Sequence, residues 1–220
     1  MPGALACPDP TREYGPEVVL RAFDVCPTAG YLCINGSFMS LYGDRVARWS
    51  LRMGRLRVRV PLPEYLPEPI NRTVREAAVA GILAWDGHPF PITIIRGGIP
   101  LLPWDVEVGW SREMIYAPAG GKAWYELDAK GGLRRTIGIV LTVPSLEEED
   151  LKDEAKLQRY LGRVRGVAAH EMGHALGLPH SDDTQDIMQP RESEQTEPTS
   201  RDYQTVDALY RLPIGARVKE

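Results

Sequence analysis

Eleven consecutive residues constrain this chain more than the rest of it: His170-Glu171-Met172-Gly173-His174-Ala175-Leu176-Gly177-Leu178-Pro179-His180. They read H-E-x-x-H-x-x-G-x-x-H. In a helix, His170 and His174 stand four residues apart and share a face. Two imidazoles on one face can hold a single metal ion. Glu171, one residue on, reaches a water on that ion without ligating it. Gly177 suits the left-handed conformation of a sharp helix end, and Pro179 keeps the helix from resuming. The returning chain delivers His180 as a third nitrogen. Three neutral imidazoles with a fourth position open describe a catalytic zinc site, not a closed structural one. Three of the chain's four histidines lie in this stretch. The competing reading is a helix whose histidines are ordinary core residues, and the fixed spacing makes it a poor one.

Composition narrows what can surround such a site. With 220 residues and 43% apolar content the chain can build one sizeable core, with room for an appended segment. A net charge of −4 and the absence of a dense Lys/Arg cluster argue against a nucleic-acid partner. No apolar run is long enough for a membrane span, and no complete signal peptide is visible. All three cysteines, Cys7, Cys26 and Cys33, fall before residue 34. Cys26 and Cys33 are close enough to close a small disulfide loop in an exported protein, which leaves Cys7 unpaired. Cys7 follows Ala4-Leu5-Ala6, so a lipid anchor there stays open. So do a cysteine that masks the metal and plain structural cysteines.

Along the chain, residues 1–45 mix Pro, Gly and short apolar patches. They read as a cysteine-containing N-terminal extension of unknown role, with a short strand near Tyr31–Ile34. The catalytic domain is expected over 46–220. Arg55–Val60 alternates arginine with Leu56, Val58 and Val60, which predicts a half-buried strand with a solvated arginine row. Prolines 61 to 69 mark a linker. Asn71 and Thr73 are candidate helix caps, Thr73 and Glu76 form a capping-box pattern, and apolar residues at helical spacing run to Trp85. His88, beside a proline in a turn, reads as a surface residue. Pro91–Ile95 and Asp105–Trp110 predict two more strands, the helix between the first pair implying a parallel crossover. Ala123–Leu127 and Arg135–Val143 predict a further two. Ser145–Glu148 forms a second capping-box pattern. From there either one long helix or two segments lead to Leu176. Ser200 is a candidate N-cap for a last helix through Val206, Leu209 and Tyr210.

The histidine motif, Ser181 directly after it, and Asp186-Ile187-Met188-Gln189-Pro190 downstream together resemble the metzincin zinc metallopeptidases, and among them the matrixins. The resemblance is specific from about Val167 to Tyr210 and looser back to about Trp49. It implies an α+β fold. The expected parts are a twisted mixed β-sheet of about five strands with an antiparallel edge strand, a backing helix, an active-site helix, a Met-turn and a C-terminal helix. It implies one catalytic zinc ion on His170, His174 and His180, and Glu171 as the catalytic base. Gly177, Met188 and Asp202 are the supporting residues: the turn glycine, the methionine beneath the zinc, and the partner of the Met-turn backbone. The edge strand is one to which an extended peptide can add, and either of the last two predicted strands fits it. Matrixins often hold a second zinc, on three histidines, and calcium in the region that is 111–122 here. That loop has no histidine, so no second zinc is expected, and its few carboxylates leave structural calcium doubtful. Where matrixins commonly carry Pro-x-Tyr after the Met-turn, this chain has Pro190-Arg191-Glu192, which changes one wall of the pocket beside the scissile bond.

The reaction so implied is zinc-dependent endopeptidase hydrolysis, with Glu171 taking a proton from a zinc-activated water and passing it to the leaving amine. The implied partner is a protein or peptide substrate. The protein itself is expected to be a monomer, secreted or in the cell envelope. The alternatives are a catalytically inactive or latent zinc-binding module, and a zinc hydrolase of another amide.

Overall fold

The computed structural model describes residues 18–97, 103–113, 120–133, 137–145, 148–191 and 194–220. Cys7, the middle of the 111–122 loop, the first residues of the 135–143 segment, Leu146, Glu147 and Glu192 lie outside the described residues.

In chain order the strands are β1 Val19–Arg21, β2 Cys33–Ile34, β3 Ser37–Phe38, β4 Leu56–Arg59, β5 Ile92–Ile95, β6 Val106–Ser111, β7 Gly121–Trp124, β8 Ile137–Thr142 and β9 Arg217–Lys219. The α-helices are α1 Ala22–Val25, α2 Ile70–Leu83, α3 Glu148–Lys152, α4 Glu154–Ala175 and α5 Ser200–Arg211. The main sheet has the order β5-β4-β6-β8-β7. Its first four strands pair in parallel, and β7 closes the edge antiparallel to β8. This is the expected α+β arrangement with a mixed five-stranded sheet, and β7 is the edge strand that the sequence left undecided. The helix α2 joins the parallel pair β4 and β5, as a parallel connection requires.

The apolar alternation of β4 buries Leu56 and Val58 completely. The other face departs from expectation. Arg57 donates a bidentate pair of bonds to Asp105, which is itself fully buried, and Arg59 pairs with Glu107 and stacks over Trp104. The arginine row is thus only partly solvated, because the acids that neutralise it are Asp105, just before β6, and Glu107 within it, each 48 residues away. Two helix starts also shift. The helix α2 begins at Ile70, so Asn71 lies inside it, buried, and Thr73 donates its hydroxyl back to Pro69 O. The last helix is capped by Thr199, not Ser200: Thr199 and Asp202 form the reciprocal capping box.

α4 is one helix of 22 residues, capped by Asp153 and separate from the short α3. It packs against α2, where Gly81 lies against Arg165 O, Ala168 and Ala169. One core cluster runs from Ala22 to Val218 and so spans both sides of residue 45. Within 18–45, β1 pairs with β9, Tyr31 is fully buried, and Cys26 and Cys33 form a disulfide. The predicted Tyr31–Ile34 strand is reduced to Cys33–Ile34.

Candidate metal centre and active site

The site begins with the way α4 stops. Gly177 adopts φ +103°, a left-handed conformation, and a side chain there would strike Ala47 O. With that turn made, Leu178 N–H donates to Gly173 O at 3.0 Å and Gly177 N–H to His174 O at 2.9 Å. These are the two bonds of a Schellman ending. Trp49 Nε1 and the Tyr210 hydroxyl take the carbonyls of Ala175 and Leu176, so the helix end is satisfied from three directions. The ending then orients a ligand: His174 Nδ1–H donates to Leu178 O at 2.8 Å. His170 Nδ1–H donates to Ile187 O at 2.7 Å. In both rings the proton on Nδ1 leaves the Nε2 lone pair facing the cluster, the usual outer bond of a metal-ligating imidazole.

His180 completes the group. Candidate ligand atoms of His170, His174 and His180 all lie within 4.8 Å of one another. His174 Nε2 and His180 Nε2 are 3.2 Å apart, a separation that two lone pairs hold only with a proton or a cation between them. Burial holds the His174 ring well below the ordinary imidazole pKa and His170 at about 4, so both stay neutral, the ligating form. Burial lowers His180 too. The donor set therefore fits a tetrahedral zinc with one protein-free position.

Glu171 lies beside this group. Burial pushes its pKa up to about 8, opposed by the backbone of Ala123 on β7 beside it. Its Oε2 is buried with no hydrogen-bond partner among the described residues. Gly121 makes the approach possible, since a Cβ there would fall 2.7 Å from Glu171 Cγ. Gly173 does the same below: a Cβ would fall 2.3 Å from Met188 Sδ, so the fully buried Met188 fits against the helix only because residue 173 has no side chain. Ser181 N–H donates to Met188 O at 2.8 Å, which ties the end of the histidine stretch to the methionine.

Beneath the histidines every buried carboxylate is partnered. Asp202 takes Ile187 N–H at 3.0 Å and Thr199 N–H at 2.7 Å on one oxygen, and the Tyr31 hydroxyl at 2.9 Å on the other. Asp186 takes Thr199 Oγ1 on one oxygen, and Ser181 Oγ and Arg201 Nη1 on the other. The same Asp202 that holds Ile187 N–H thus steadies the residue whose carbonyl orients His170.

Two concavities meet at Glu171 and His170. A wide cleft takes in Ile34, Met39, Leu41, Ala123, Tyr125 and His180. A narrower one is lined by Val167, Ile187, Gln189, Pro190, Arg163 and Arg191. Of the residues singled out by sequence, Glu171 and the three histidines converge, Met188 packs against α4 at Gly173, Gly177 forms the turn, and Asp202 takes the Ile187 N–H of the 186–190 segment. His88 stands apart, half-exposed and 3.5 Å from Asp207. Tyr31, Ala123 and the carbonyls of Leu178 and Ile187 were not legible beforehand. None carries a local pattern, and their roles come from contacts across the chain.

Residues 145–211 match the family model of the matrixin peptidases, family M10. No curated protein matches the chain. Among solved structures, archaemetzincin from Methanopyrus kandleri is similar at 17% identity over 72% of this chain and 96% of that one, with a TM-score of 0.44. The GM1-bound form of the ECX AB5 holotoxin is similar at 14% identity over 76% and 84%, with a TM-score of 0.42.

Proposed function

We propose, from the matrixin-like character of residues 145–211, that the protein is a zinc-dependent endopeptidase of the metzincin type, with 186–190 as its Met-turn. One observation carries the reading: three neutral imidazoles converge beside a buried glutamate whose Oε2 has no hydrogen-bond partner among the described residues. A purely structural site has no use for that carboxylate, and leaving it unpaired when buried is costly. His170, His174 and His180 would hold a zinc ion, which when bound would lower the pKa of a water to about 7, polarise a peptide carbonyl and favour the ionised form of Glu171. Glu171 Oε2 accepts a proton from the attacking water and returns it to the leaving amine. β7 offers its outward backbone groups to an extended substrate, and Met188 supplies an apolar floor. The Cys26–Cys33 disulfide supports action outside the reducing cytoplasm. Among the described residues no helix is long and apolar enough to cross a membrane.

The test is cleavage of an unbiased peptide library with and without a chelator, alongside Glu171→Ala. The expected result is chelator-sensitive cleavage that Glu171→Ala abolishes while zinc analysis still finds one ion per chain. Turnover by Glu171→Ala within a few-fold of the parent removes glutamate from its role. A zinc-loaded parent that cuts nothing leaves a binding module instead.

A further inference from the structure

The edge strand that flanks Glu171 is closed at one end. Its pairing pattern shows which groups face the cleft. Thr142 N–H donates to Gly120 O at 2.7 Å, so residue 120 faces β8. By the two-residue alternation of an antiparallel pair, Lys122 and Trp124 also turn their backbone groups to β8. Those of Gly121, Ala123 and Tyr125 turn away from it, and the Ala123 backbone accordingly lies beside Glu171. An extended peptide added to this edge pairs with those alternate residues.

At Tyr125 the position is already taken. The Tyr42 hydroxyl donates to Tyr125 O at 2.9 Å, and the two rings meet edge-on with centroids 5.3 Å apart. Tyr42 is fixed by its own turn. Its N–H donates to Ser40 Oγ at 3.0 Å, and Ser40 Oγ donates to Arg45 O at 2.6 Å. The turn is in turn tied to the C-terminal strand, through Asp44 with Arg217 and through Val46 N–H to Ala216 O. The residues just before it, Met39, Ser40 and Leu41, line the same cleft as the histidines.

We propose that Tyr42 is a specificity-determining residue that ends the peptide-binding edge at Tyr125. An extended chain then runs for only two residues, about 7 Å of strand, past Ala123 on that side. On the Gly121 side no such cap is present among the described residues. The substrates this favours are chains whose scissile bond lies close to one terminus, or close to a bend, on the Tyr125 side. The inference rests on the peptidase reading above.

The experiment takes the site cut in the peptide library and lengthens the peptide by one residue at a time, separately at each end. The quantity read is kcat/KM of the long peptide over that of the short one, within each protein. For the parent this ratio stays flat beyond two residues at one end and keeps rising at the other. In Tyr42→Ala the flat end rises by about three- to tenfold, the worth of a regained backbone hydrogen bond. Tyr42→Phe removes the hydroxyl and keeps the packing, and the same ratio decides if the alanine variant does not fold. A ratio that rises at both ends of the parent, or that neither variant changes, overturns the proposal. If no peptide is cleaved, the peptidase reading fails by itself. The groove is then read in zinc-loaded Glu171→Ala by fluorescence anisotropy of blocked alanine-rich peptides of four to twelve residues. Affinity that levels off at a shorter length with Tyr42 than with Tyr42→Ala supports the cap, and identical length dependence overturns it.

Discussion

The histidine cluster has two flanks, and they treat carboxylates in opposite ways. Below it, Asp186 and Asp202 are buried and every oxygen is met by a hydroxyl, a backbone N–H or Arg201. On the cleft side, Glu171 is equally buried, yet Oε2 has no hydrogen-bond partner among the described residues. A saturated carboxylate has spent its affinity for protons and donors on holding a shape. An unsaturated one keeps it for a substrate. The lower flank should therefore govern stability and the upper flank chemistry, and substitutions can separate the two.

The largest expected effect falls on the upper flank. Glu171→Gln keeps the volume and lowers kcat/KM by about 10²- to 10⁴-fold, the range of a general base. Its thermal midpoint is expected to equal or exceed the parent's, since no partnered group is lost. A fall of more than a few degrees in the melting curve breaks the division between flanks. On the lower flank, Asp202→Ala strands Ile187 N–H, Thr199 N–H and the Tyr31 hydroxyl together. Urea unfolding should report a loss of about 3 kcal/mol. Zinc should also bind more weakly, because the Ile187 carbonyl that orients His170 loses its anchor.

Metal removal sharpens the same contrast through pH. In the chelated protein His170 titrates near 4 in the folded state, below the ordinary value of 6.5, and His174 is lowered as well. Between those values the unfolded chain binds more protons than the folded one. The stability these two histidines contribute is thus full above about pH 6.5 and is lost as pH falls through about 4, whereas Glu171, raised to about 8, contributes the opposite slope, lost as pH rises through that value. The difference in urea midpoint between the stripped parent and stripped His170→Asn should follow the histidine slope. The smallest effect is that of Tyr31→Phe. It deletes one of the bonds to Asp202 and should cost about 1 kcal/mol, with kcat/KM little changed. A kinetic loss as large as that of Glu171→Gln would show that the lower flank takes part in the chemistry.

The chemistry-bearing residues were legible because their spacing is local. His170, Glu171 and His174 occupy one turn of helix, and Gly177 and Pro179 announce the turn that returns His180. Strands showed by alternation, as at Leu56 and Val58. Helix starts showed less well. Thr73 has the residues of a capping box, but Pro69 begins α2 a turn earlier, and Thr199 outcompetes Ser200 because Asp202 lies three residues after it. The arginines of β4 gave no sign of their partners, since Asp105 and Glu107 reach them only through strand pairing.

What the sequence by itself determined is the donor set: three imidazoles and a carboxylate whose positions follow from helical periodicity and one glycine turn. Tertiary structure alone decided the surroundings. It placed β7 at the sheet edge, brought the Ala123 backbone to Glu171, and left Oε2 without a hydrogen-bond partner among the described residues. It set Tyr31 on Asp202, 171 residues away, and Tyr42 on Tyr125, 83 residues away. Local spacing encodes which groups share a helix face. Contacts over such separations depend on how sheet, helices and N-terminal segment pack, and no short pattern in the chain carries that information.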